Sequence, residues 1–141
     1  MQRPRQFPPM KSLFRSAVAL FATLSFCFAA VTDDVRQDLS KLVPEAIRLL
    51  ETKEYAALLE ALVPPDELRK ITADRPFAEF AAEFGEKKAA VLLAVMKTVA
   101  DKKPKLSDNG NTATFDLPKK AEFPKKTLVF TKIENRWFIK N

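Results

Sequence analysis

Few side chains in this chain can do acid–base or nucleophilic chemistry. Its 141 residues include no histidine, one tyrosine, Tyr55, and one cysteine, Cys27. Without histidine there is no serine–histidine triad, no imidazole base and no common zinc site. The carboxylates remain. Asp116 or Glu122 would serve as a general base only if burial raised its pKa, and an exposed acid at a strand end is the commoner arrangement. Two glycines, Gly85 and Gly110, cannot build a phosphate-cradling loop, and the acids lack calcium-loop spacing. No catalytic residue, metal or cofactor is expected.

Binding chemistry is better represented. Phe77, Phe80 and Phe84 recur at helical spacing, a stripe that either enters a core or lines a pocket. Tyr55, Phe80, Phe84, Phe115, Phe130 and Trp137 are the candidate ligand-lining residues. Lys119, Lys120, Lys125 and Lys126 crowd one connection and are the candidate anion contacts; the plainer alternative is that they guard neighbouring strand edges against pairing with other chains.

The first thirty residues belong to a different class. Arg3, Arg5, Lys11 and Arg15 precede the apolar run Ser16–Phe28, and Ala29 and Ala30 follow. That order has the three parts of a secretory signal peptide, with cleavage expected after Ala29. The run is short for a membrane span of about 20 residues. Met10-Lys11, followed at once by the apolar run, also reads as a complete signal by itself. Leu24-Ser25-Phe26-Cys27 begins like a lipobox, but Phe26 stands where a small residue is needed before a lipidated cysteine.

Export to a periplasmic or extracellular space is therefore expected, with no stable membrane span after cleavage. Cys27 leaves with the leader, so the mature chain has no thiol chemistry. Without the leader's four basic residues the formal charge of +6 falls to +2. The remainder is uneven. Residues 31–101 hold 14 acidic and 10 basic residues, whereas residues 102–141 hold 4 and 10. A basic end with aromatics could suggest a stacking platform for single-stranded nucleic acid. Export removes that partner and the core claims the aromatics, so no nucleic acid is expected.

The elements that must position these residues follow from periodicity. The 141-residue chain is 47% hydrophobic and 30% charged, an ordinary globular composition, and residues 31–141 suit one folded domain. Val35, Leu39, Leu42, Val43, Ala46, Leu49 and Leu50 predict one amphipathic helix from Thr32 to about Thr52, kinked at Pro44. Tyr55, Leu58, Leu59 and Leu62 predict a second, stopped at Pro64-Pro65. A third runs from Pro65 to about Ile71, and Pro76 opens a fourth. Gly85 predicts a bend before a helix through Ala89, Leu92, Leu93, Met96 and Val99, expected to lie centrally against a sheet.

That sheet occupies residues 105–141. Asn109-Gly110 is a strong hairpin cue because both central residues of a type I′ turn need positive φ. Thr112–Leu117 and Thr127–Ile133 read as strands, and a two-residue turn at Glu134-Asn135 would pair Phe130 with Ile139 and Lys132 with Trp137. Ala113, Phe115 and Leu117 point one way, and Leu128, Phe130, Trp137 and Ile139 share the expected core face. Val129, Ile133 and Phe138 fall on the other face, which needs a helix or a second subunit to cover it. The fold class is α+β: amphipathic helices over residues 33–101 packed on an antiparallel meander of three to four strands.

Helices, then Asp108-Asn109-Gly110-Asn111, the strand Thr112-Ala113-Thr114-Phe115, and the closing run from Val129 through Glu134-Asn135-Arg136-Trp137-Phe138-Ile139 resemble the C-terminal half of nuclear-transport-factor-2-like, or cystatin-like, domains. The resemblance covers a quarter to a third of the chain. It implies a curved sheet wrapped around helices into a cone, whose enzymes place Asp, His or Tyr inside. This chain departs from that pattern by lacking both a histidine and a strand hairpin among its helices. The expected function is that of an exported, non-catalytic domain binding a small apolar ligand or an envelope protein. A homodimer formed through the outer sheet face, and an enzyme with a carboxylate base, are the alternatives.

Overall fold

A computed structural model describes residues 30–140; the signal-peptide expectation falls almost wholly outside them. The chain is α+β. Six helices, α1 (Asp33–Gln37), α2 (Leu39–Glu51), α3 (Tyr55–Leu62), α4 (Pro65–Asp74), α5 (Phe77–Lys87) and α6 (Ala89–Val99), precede strands β1 (Lys105–Ser107), β2 (Thr112–Asp116), β3 (Thr127–Ile133) and β4 (Arg136–Ile139). The strands form one antiparallel meander in the order β1-β2-β3-β4.

Turn chemistry sets the register. Glu134 and Asn135 both take positive φ, 49° and 64°, and the two-residue loop pairs Phe130 with Ile139 and Lys132 with Trp137, as the sequence predicts. The β1–β2 connection is longer than a two-residue turn. Asp108, Asn109 and Gly110 all take positive φ in a short 3₁₀ turn, and Ser107 pairs with Thr112.

One side of the sheet carries the core. Ala113, Phe115, Leu128, Phe130 and Trp137 are buried there, in one cluster with Leu42, Leu49, Leu58, Met96 and Val99 from α2, α3 and α6. Phe115 and Phe130 meet edge to face at 6.0 Å, the geometry favoured by the ring quadrupoles. The opposite side is mostly threonine. Val129, Ile133 and Phe138 share that side, and of these Phe138 is buried beneath α1, with the Arg36 guanidinium 5.1 Å above the ring and Arg136 paired to Asp33 at 2.9 Å. Burial, the largest influence, draws the Arg36 pKa down. A helix, not a second subunit, therefore covers Phe138, while Ile133 stays exposed.

Three helix boundaries differ from the sequence expectation. The first helix breaks at Asp38, which is extended and caps α2 by accepting from the Ser40 N–H at 2.9 Å. Pro44 lies inside α2 without ending it; proline there removes one bond, to the carbonyl of exposed Ser40. Helix α4 runs on to Asp74 rather than stopping near Ile71. Gly85 lies within α5, and the bend comes at Lys88. The reason is a close approach: a Cβ on Gly85 would lie 2.6 Å from Tyr55 Cδ2. Glycine serves there to admit a ring, not to end a helix.

Candidate functional site

The helical layer does not close completely over the sheet. Between α3, α4, α5, α6 and the ends of β3 and β4 lies a cleft of about 840 Å³, within the size range of small-molecule sites. Its origin is visible in how the helices are stopped. Val63-Pro64 ends α3, and Pro65 starts α4 at the first helical position. Helix α4 buries no residue and α5 buries only Ala81. Phe80 and Phe84 on α5 are left half-buried, and both line the cleft. Its remaining apolar lining includes Leu58 and Leu62 of α3, Ile71 of α4, Leu92 and Val95 of α6, and Leu117, Leu128 and Ile139 from the sheet side.

Tyr55 stands behind this wall. Its ring meets Phe84 edge to face, with centroids 5.9 Å apart, in the space that Gly85 leaves free. The far wall is set by the connection from β2 to β3. The Leu117 N–H donates to the Lys126 carbonyl at 2.8 Å, closing the loop at its base. Phe123 is buried in the core cluster with Lys120 Nζ 5.5 Å from its ring. The anchored loop brings Pro124 and Lys125 to the cleft.

The charged residues lining the cleft are Glu67, Arg75, Glu83, Lys87, Lys88, Lys125 and Lys140. Glu83 engages both Arg75 and, at 3.0 Å, Lys87, and these two cations hold its carboxyl below the usual glutamate range, Lys87 most strongly. Arg75 also stacks on Phe80, 4.8 Å from the ring centroid. Lys88, Lys125 and Lys140 have no ion-pair partner among the described residues.

Of the six aromatic candidates, the cleft brings together Phe80 and Phe84, with Tyr55 as their support. Phe115, Phe130 and Trp137 are buried in the core, Trp137 under the ammonium of Lys132 at 4.7 Å. Of the four lysine candidates, Lys125 reaches the cleft, whereas Lys119, Lys120 and Lys126 are exposed outside it. Sequence reasoning missed Lys88 and Lys140, which only tertiary packing brings to the same opening. It also missed Phe123, whose isolation between lysines and prolines was the available signal.

The carboxylates considered as bases are both exposed. Asp116 accepts from Lys105 Nζ at 2.7 Å, and that contact holds its pKa below the usual aspartate range, opposite to what a base near neutrality needs. Among the described residues no polar or charged side chain is buried, no group of three or more metal-ligating side chains occurs, and no helix is long and apolar enough to cross a membrane. No family model, curated protein or solved structure matches the chain.

Proposed function

We propose that the protein is an exported, non-catalytic domain that holds one small apolar ligand in the cleft between α3–α6 and the sheet. The observation carrying this is the incomplete closure at α5. Two phenylalanines on a core-facing stripe are left half-buried beside a cavity of about 840 Å³. Exposing apolar area costs about 25 cal/mol per Å², so a persistent apolar cleft is the expected mark of a ligand site. The basic, apolar, alanine-terminated leader supports export. We also read the helices-then-meander order, with Trp137 after the Glu134-Asn135 turn, as that of a reduced relative of nuclear-transport-factor-2-like domains.

Homodimerisation through the outer sheet face has less support, because α1 already covers Phe138. The test is a titration of the purified protein with N-phenylnaphthylamine, a neutral dye that fluoresces in apolar surroundings. Saturable one-site binding, lost in Leu92→Trp while the circular dichroism spectrum is retained, is expected. Failure of the unaltered protein to bind saturably overturns the proposal.

A further inference from the structure

We infer that the cleft takes a single-chain fatty carboxylate, its hydrocarbon in the apolar trough and its head at Lys88, Lys125 and Lys140. This rests on the cleft being a ligand site and adds the class of ligand.

The trough offers nothing to orient a polar body. Its walls are Leu, Val, Ile, Phe and Pro, and among the described residues Thr127 supplies the one side-chain hydroxyl in the lining. A ligand with polar groups along its length would leave them unpaired there. An unbranched chain leaves none.

The mouth, by contrast, has a sign. Of its five cations and two acids, Glu83 is consumed by Arg75 and Lys87. Three lysines remain without an ion-pair partner among the described residues, one each from the α5–α6 junction, the β2–β3 connection and the end of β4. Charges supplied by three separate elements around one opening leave it positive, and an anionic head answers them.

Among the described residues the one arginine lining the cleft, Arg75, is held by Glu83 and stacked on Phe80, so the two-pronged guanidinium that grips a carboxylate or a phosphate is not free. Lysines act as point charges, sufficient for a small singly charged carboxylate. Glu67, on the α4 side, repels an anion and so favours one orientation of the chain.

Decanoate and decanol, equal in chain length and different in charge, separate this inference from the one beneath it when each displaces N-phenylnaphthylamine from the purified protein. At low salt decanoate should displace at a roughly tenfold lower concentration than decanol, since an exposed ion pair contributes about two- to fivefold per lysine. The ratio should fall towards one in high salt. It should do the same in the triple variant Lys88→Gln, Lys125→Gln, Lys140→Gln, with decanol unaffected. Lengthening the acid should strengthen displacement by up to about fourfold per methylene until the trough is full.

Equal displacement by acid and alcohol overturns the carboxylate inference and leaves the apolar site standing. A dye that does not bind the unaltered protein removes both. Binding to phosphatidylglycerol vesicles without displacement by monomeric decanoate identifies a membrane surface as the occupant and also overturns the inference.

Discussion

The helices on the two sides of this molecule are built from similar sequence and end in different states. In α2, Leu42, Val43, Ala46, Leu49 and Leu50 are all buried. In α5, whose phenylalanines recur as regularly, only Ala81 is buried, and α4 buries nothing. An apolar stripe says which side of a helix turns inward. It does not say whether a partner surface fills the space it turns towards.

Truncations at matched aromatic positions sharpen this contrast most. Phe130 is fully enclosed, and Phe130→Ala should destabilise by about 3–5 kcal/mol, a large share of the ~5–15 kcal/mol that holds a typical domain together. Phe80 is half-buried at the cleft, and Phe80→Ala should cost less than about 1.5 kcal/mol while weakening dye binding. Urea midpoints at constant m-value measure both. Equal losses would mean that α5 collapses onto the sheet in solution and that the cleft is not open.

Gly85 gives a second contrast, in sign. In an exposed helix interior, Gly→Ala gains about 1 kcal/mol. Here the added methyl meets the Tyr55 ring, so Gly85→Ala should instead lose about 1–3 kcal/mol by overpacking. The loss should disappear in the Tyr55→Ala background, where the helix gain returns. Stabilisation by Gly85→Ala alone would show that Tyr55 does not press on α5 and that Phe84 lacks its support.

Much of the dense half was legible in the sequence. Alternation in Ala113-Thr114-Phe115 and the turn residues Glu134-Asn135 act over a few positions, so strand faces and the β3–β4 register followed from local chemistry, whereas Asn109-Gly110 marked a turn that is longer than the two-residue hairpin it cued. The cleft was legible only in part. Phe80 and Phe84 fit a core and a pocket equally well from spacing alone, because what decides is the gap between elements far apart in sequence. Lys88, Lys125 and Lys140 are separated by 37 and 15 positions, and nothing local links them. The boundaries failed where a side chain overrode propensity. Tyr55 requires Gly85 inside a helix, and the Asp38 carboxylate ends α1 six residues before the proline at which a kink was expected.

The cap at Asp38 carries the smallest expected effect. Asp38 accepts from both the hydroxyl and the N–H of Ser40, and these bonds, the hydroxyl's first, hold its pKa below the usual aspartate range. A carboxyl with a depressed folded pKa adds stability that is present above its unfolded value, about 4, and is lost as pH falls through the folded one. Asp38→Ala should therefore cost about 1 kcal/mol at neutral pH and flatten the acid side of the stability curve. Asp38→Asn keeps an acceptor for the cap, so it should cost less while removing the same pH dependence. The sign is diagnostic. Alanine is the best helix former, so in a continuous helix from Asp33 to Glu51 the Ala variant would be more stable than the parent. Thermal midpoints from pH 3 to pH 7 distinguish the two. A gain would reunite α1 with α2, leave a kink at Pro44 as the only departure from a straight helix, and strip Phe138 of the helix that now covers it.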